Sequence, residues 1–258
     1  MPSFKTIRVV LLLFVLLTVA AGAWQSRART TSWDRALELV VFPINADGRP
    51  ATSAYLGSLT SASFDSIKRF MRREAQEYGI DLVTPIEVSL APEVHSIPPQ
   101  PPPDRSAVAT ILWSLQLRYW AWRHSDYSGM RPDVRIFALY FDPQAHTRLG
   151  HSAGLQKGLV GLANVFAAEH MTEENNVILA HELLHTLGAR DKYDPATGLP
   201  LYPDGFAEPY REPLYPQSHA EIMGGRIPLA PGVADTPQSL DLALIGPATA
   251  SEIRWLRR

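Results

Sequence analysis

A helix that is apolar on every side has to be buried, and residues 177–187 read as such a helix although they carry two histidines and a glutamate. Val177, Ile178, Leu179, Ala180, Leu183, Leu184 and Leu187 leave almost no polar stripe except His181 and His185. No other segment constrains the fold as much. Other elements must enclose it, and its imidazoles must find partners inside. Four residues apart, the two histidines stand one turn above each other on one helix face. Two imidazoles so placed reach one Zn²⁺ at about 2.0–2.1 Å each. Glu182 projects roughly 100° further round, beside the metal, where a carboxylate takes a proton from a water and passes it to a leaving amine. Gly188 suits the left-handed residue that ends many helices. The chain then turns sharply and returns Asp191 as a third protein ligand, leaving a fourth position for water. Thr172, Glu173, Glu174 and Asn175 offer capping and acidic residues at the N-terminal end of the same helix. An ordinary core helix with two backbone-bonded histidines is the plainer alternative, but it leaves Glu182 without a partner.

Downstream, Glu221-Ile222-Met223-Gly224-Gly225 reads as a tight turn with one apolar side chain pointing inward. With the zinc helix, it resembles the metzincin metallopeptidases, whose extended motif is H-E-x-x-H-x-x-G-x-x-[H/D] and whose methionine turn forms an apolar floor beneath the metal. The resemblance implies an α/β upper subdomain (residues 36–188), an active-site cleft, and a mostly irregular lower subdomain (residues 189–258). Most metzincins carry a third histidine where this chain has Asp191. An aspartate there is similar to the snapalysin type, and Asp191-Lys192-Tyr193-Asp194 is similar to the immune-inhibitor-A-like peptidases. Zinc accepts a carboxylate oxygen at about 2.0–2.2 Å, so the substitution is chemically sound. Some metzincins place a transition-state tyrosine two residues after the turn methionine; here that position is Gly225. Asp194, Glu208, His219 and Glu221 are the other ligand candidates. A thermolysin-like site needs a glutamate on a second downstream helix, and the prolines and glycines of 192–237 argue against one. Asp194 reads instead as a turn residue, a support for the ligands, or a Ca²⁺ ligand.

The chain begins with Lys5 and Arg8 ahead of the apolar run Val9 to Ala23, and Ala21-Gly22-Ala23 has the form of a cleavage site. Residues 1–23 are expected to be a signal peptide or an uncleaved membrane anchor, since Val9 to Ser26 spans 18 residues without a charge. Residues 24–35 follow as a tether. Either reading places the domain of residues 36–258 outside the cytoplasm: secreted, periplasmic or membrane-tethered. A formal net charge of −2 gives no electrostatic case for nucleic acid, and the absence of cysteine excludes a disulfide framework and thiolate zinc ligands.

Along the domain, residues 36–44 read as a buried strand and 63–78 as an amphipathic helix with Lys68, Arg69, Arg72 and Arg73 outward. Residues 80–90 read as a second strand. Pro92 to Asp104, with six prolines, reads as an extended spacer. A helix over 105–124 carries Trp113, Trp120 and Trp122, either a ligand platform or packing against a sheet. Residues 134–141 and 158–167 complete the strands, giving an α/β (α+β) fold with a mixed sheet. By resemblance, 158–167 is the antiparallel edge that pairs with extended substrate, so Gly161, Leu162, Ala163 and Asn164 take a substrate-backbone role. His146, His151 and His170 are read as loop or surface residues.

The expected function is peptide or protein hydrolysis by a water activated on one Zn²⁺, with Glu182 as base. A zinc-stabilised binding protein without activity and a zinc hydrolase of non-peptide amide bonds are the two alternatives.

Overall fold

The computed structural model describes Arg8 and residues 32–102, 106–150, 153–155 and 159–256. The signal or anchor segment, most of the tether, and His151 lie outside these residues. Trp33, expected within the tether, belongs to the core: its indole N–H donates to the Ile253 carbonyl at 2.8 Å and its ring meets Trp255 edge-on.

Four strands form a parallel sheet: β1 (Leu37–Asn45), β2 (Ile86–Leu90), β3 (Val134–Phe141) and β5 (Val160–Phe166), with the short β4 (Ala153–Leu155) antiparallel on the outer side of β5. The order is β2-β1-β3-β5-β4, so the sheet is mixed, as its sequence pattern implies. Both faces are covered, which is why the central strands read as largely apolar runs. Leu37, Leu39, Val41, Ile136, Ala138 and Tyr140 point into one core, while Val40, Phe42, Ile44, Phe137 and Leu139 point into the other.

The first core is closed by α2 (Asp65–Glu77) and α4 (Thr172–Leu187). The second is closed by α3 (Ala107–Arg123) and the proline-rich stretch before it. That stretch is a strap rather than a loose spacer. Val94 N–H donates to the Pro43 carbonyl, and the indoles of Trp113 and Trp120 donate to the Pro99 carbonyl at 2.8 Å and to Ser96 Oγ at 3.0 Å. Trp120 also meets Phe137 edge-on, so these two tryptophans are packing residues, whereas Trp122 points outward.

Beyond α4 the chain is largely irregular. It contains a parallel pair β6 (Ala220–Glu221) and β9 (Ala243–Leu244), a hairpin β7 (Ile227–Ala230) and β8 (Val233–Asp235), and a short α5 (Pro247–Glu252). Ile222, Met223, Leu240, Ile245, Ile253 and Trp255 from this region join the first core. Helix α4 therefore has the sheet on one side and the irregular region on the other, which accounts for its all-round apolar surface. Arg73, expected as part of a solvated basic face, instead ties the two parts together. Its guanidinium donates to the carbonyls of Leu240 and Ala243 at 3.1 and 2.7 Å.

Three elements differ from the sequence expectation. Strand β2 begins at Ile86, because Pro85 lacks the N–H a ladder needs and Ile80 instead donates back to the Ala75 carbonyl beyond the left-handed Gly79. A helix α1 (Pro50–Ser58) sits between β1 and α2 with proline in its first turn. Most consequential for the site, the antiparallel edge is β4 rather than β5. The sheet has one more strand than the sequence suggests, and β5 is an interior strand.

Candidate metal centre

Helix α4 places His181 and His185 toward a cleft of about 660 Å³ between the sheet and the irregular region. Gly188 ends the helix at φ 117°, a conformation L side chains resist, and its N–H and that of Ala189 return to the Leu184 carbonyl at 3.1 and 3.0 Å. Three residues later Asp191 enters the cleft. Its Oδ1 lies 3.2 Å from His181 Nε2 and 3.0 Å from His185 Nε2. Among the described residues these three form the single group of His, Asp or Glu side chains able to share one ion.

The other nitrogen of each ring decides what those contacts mean. His181 Nδ1 lies 2.9 Å from the Ile222 carbonyl and His185 Nδ1 lies 2.9 Å from the Ala189 carbonyl. A carbonyl oxygen only accepts, so each Nδ1 carries the proton and a neutral ring turns the lone pair of Nε2 toward Asp191. Two lone pairs facing a carboxylate oxygen repel. Either both rings take a second proton, setting two cations with centroids 4.6 Å apart in a site where their side chains are only 15% and 17% exposed, or a cation sits among the three donor atoms. Tetrahedral zinc with ligands at about 2.0–2.1 Å has donor-to-donor edges near 3.3–3.4 Å, close to the separations found here. The donor set fits zinc.

Asp191 is held from both sides. Glu252 on α5 accepts from Arg190 N–H and Nε at 3.0 and 2.9 Å and from Lys192 Nζ at 2.8 Å. Burial works against ionisation of Glu252, but the bonds from Lys192 and Arg190 outweigh it and hold its carboxyl low. Lys192 N–H also donates to the Met223 carbonyl at 2.8 Å, linking the segment that carries Asp191 to the turn at Met223. For Asp191, burial is outweighed by the two histidines, which hold its carboxyl well below the usual range. For His181, the desolvation that disfavours protonation is outweighed by Asp191 and Glu182, and its pKa is raised.

Glu182 is buried against β5 and lines the cleft, and its Oε2 has no hydrogen-bond partner among the described residues. Burial raises its pKa, moderated by the two histidines. A buried carboxylate oxygen left unpartnered beside a cleft is poised to accept a proton. Helix α4 crosses the sheet at Gly161, where a Cβ would press on Ile136 of β3 at 3.3 Å and make ordinary contact with Glu182 Cβ at 3.7 Å. Gly161 and Leu162 pair with β4, and Ala163 is fully buried. Of the four residues given a substrate-backbone role, Asn164 alone lines the cleft, its side chain reaching the Gly150 carbonyl at 3.2 Å.

Met223 is fully buried, in a turn where the Glu221 carbonyl accepts from Gly224 and Gly225. The remaining ligand candidates are engaged elsewhere. Asp194 caps its own turn through Ala196 N–H, Glu208 accepts from Ser218 and Arg211, and His219 contacts Ser218. Glu221 points away from the metal site and is buried. It accepts from Met223 and Gly224 N–H on one oxygen and from Gly246 N–H and Thr249 Oγ1 on the other. It thereby fixes the Ile222 carbonyl that orients His181. Three of the four partners are N–H groups that only donate, and each oxygen meets at least one of them, so an amide in its place sets its NH₂ against an N–H group in either orientation. Glu221→Gln is expected to cost about 2 kcal/mol or more of unfolding free energy. An unchanged urea midpoint would show that this network does not support the turn.

Tyr193 is a site residue that motif spacing does not reveal. It lines the same cleft, its ring centroid 6.4 Å from that of His181, and its phenol is close enough to Asp191 to feel the carboxylate's charge. Burial pushes the phenol up to about 12, with Asp191 and Glu182 adding to the effect, so it remains a donor. The Tyr193 ring lies against Gly225, the position at which the sequence lacks a tyrosine. The one signal available was its place two residues after Asp191. No family model and no curated protein matches this chain, so its functional reading rests on this geometry.

Proposed function

We propose that this chain is a zinc-dependent peptidase of metzincin-like type that works outside the cytoplasm. The observation that carries the reading is the pair of Nδ1-protonated histidines whose Nε2 atoms face Asp191 Oδ1, next to a buried carboxylate oxygen without a partner. His181, His185 and Asp191 would hold the zinc, which when bound would supply Lewis acidity toward a carbonyl oxygen and toward a water. Glu182 takes the proton from that water and returns it to the departing amine, a shuttle favoured by its raised pKa. Tyr193 donates its phenolic hydrogen toward the negative charge that develops on the substrate oxygen. The free edge of β4 offers backbone groups to an extended peptide, which would thread the cleft between that edge and the irregular region. Asn164 and Gly150 stand beside that path. An open cleft and an unpartnered base favour catalysis over a purely structural metal.

Metal analysis joined to cleavage of a peptide library tests the reading. Zinc-loaded protein should cut peptides, a chelator should stop it, and zinc should restore it. Zinc binding without cleavage of any peptide would point to a binding protein, and cleavage confined to non-peptide amides would point to the other hydrolase class. Tyr193→Phe is expected to lower kcat about 10²-fold with zinc stoichiometry unchanged. A kcat equal to that of the native chain would remove Tyr193 from the mechanism.

A further inference from the structure

Helix α3 has two apolar sides. Trp113, Leu117 and Ala121 face the second core, while Val108, Ile111, Leu112, Leu115, Tyr119 and Trp122 project outward at i, i+3/i+4 spacing, each more than half exposed. A continuous outward stripe of this kind is not found on the α2 side, where the exposed positions of the helix are Arg69, Arg72, Gln76 and Glu77. Soluble monomers rarely leave so many large apolar side chains in one row, so something covers this face.

We infer that the outer face of α3 lies on an anionic lipid surface. The helix and its flanks carry no acidic residue between Asp104 and Asp126. Arg123 in its last turn and Arg131 in the connection to β3 are exposed, suited to phosphate headgroups. Tyr119 and Trp122 form an exposed ring pair with centroids 5.9 Å apart at that same end, the residue types that settle at the level of the headgroups. Read as an uncleaved anchor, the N-terminal segment brings a membrane within reach. Val9 to Ser26 is free of charge, and the seven residues from Arg27 to Trp33 span at most about 25 Å. A domain of this size is about 40 Å across, so a chain held at a bilayer by that segment must rest one of its faces on the lipid. The stripe on α3 is the face whose chemistry fits. Among the described residues no helix is long and apolar enough to cross a membrane, and α3 is assigned to lie along the surface rather than through it. The assignment does not depend on the metal site.

The absence of cysteine makes the test direct, because an introduced thiol takes a nitroxide label without competition. Full-length Leu115→Cys and Arg72→Cys are labelled and reconstituted in phosphatidylethanolamine–phosphatidylglycerol vesicles. At a depth of about 5–10 Å, the label at 115 should lose about tenfold in collision rate with a water-soluble nickel chelate relative to the label at 72, and gain in collisions with oxygen. Replacing phosphatidylglycerol with phosphatidylcholine should weaken that protection. Equal chelate access at both positions would overturn the assignment. So would dipolar broadening at 115 that disappears on dilution with unlabelled chain, which assigns the face to a second copy. Strong coupling within a Leu13→Cys/Leu115→Cys chain would likewise overturn it in favour of the chain's own apolar segment. Leu115 is more than half exposed, so its substitution leaves the fold intact, and retained thermal unfolding confirms this for each variant.

Discussion

Glu182→Gln is expected to bind one equivalent of zinc, unfold within about 1 kcal/mol of the native chain, and lose about 10²–10⁴-fold in kcat for peptide hydrolysis. The asymmetry between stability and activity follows from what the carboxylate does in the resting fold. Oε2 has no hydrogen-bond partner among the described residues, and burial, aided by the Asp191 charge, raises the pKa of the group. A residue retained only for packing in this apolar helix would make its polar atoms satisfied or would be apolar itself. Glutamine keeps the volume of a side chain that is almost fully buried, which a truncation would replace with a cavity. It removes the one property the reaction needs, the ability to accept and return a proton. Stability sacrificed at such a position should be recoverable by substitution, so a small gain in unfolding free energy would agree with the reading. Unchanged turnover would remove Glu182 as the base, and loss of zinc with loss of activity would make it a ligand or a support instead.

Much of this site is legible along the chain because its chemistry is local. The two histidines, the base, the helix-ending glycine and Asp191 fall within eleven residues, and the helical repeat sets their directions. The strands β1, β3 and β5 are legible for a similar reason: each buries both faces and reads as a largely apolar run, interrupted inside the strand only by Glu38, Arg135 and Asn164 respectively. What escapes is set by distant partners. Asp191 is held in place by Glu252 on a short helix at the far end of the chain, and His181 is oriented by a carbonyl that Glu221, Gly246 and Thr249 fix. Tyr193 becomes a site residue only when the chain after Gly188 folds back over the cleft. Strand β4 is three residues long, too short for alternation to show, and overlooking it turns β5 from an interior strand into an apparent edge. Helix α1 has no apolar stripe to announce it, since only Thr52 and Leu56 of its nine residues are buried.

Removal of zinc should cost folded stability as well as activity, and the two losses should share one cause. Without a cation, neutral His181 and His185 direct lone pairs at Asp191, and the rings must take up protons in a largely enclosed site or move apart. The two carbonyls that orient the rings belong to the methionine turn and to the segment after Gly188, so any movement is passed to the irregular region. With free zinc at about 1,000 times its dissociation constant, binding contributes about 4 kcal/mol. For a domain of this size that corresponds to a fall in Tm of roughly 8–16 °C on chelation. The large core shared by the sheet and both layers should keep the metal-free chain folded, unlike a small zinc finger. His185→Ala should reproduce most of the loss, and a chelator should then add little, because both changes remove the same interaction. Calorimetry of the four states, native and variant with and without chelator, gives the coupling directly. Additive losses would mean that His185 and the metal stabilise the chain independently, and the three-residue centre would have to be abandoned.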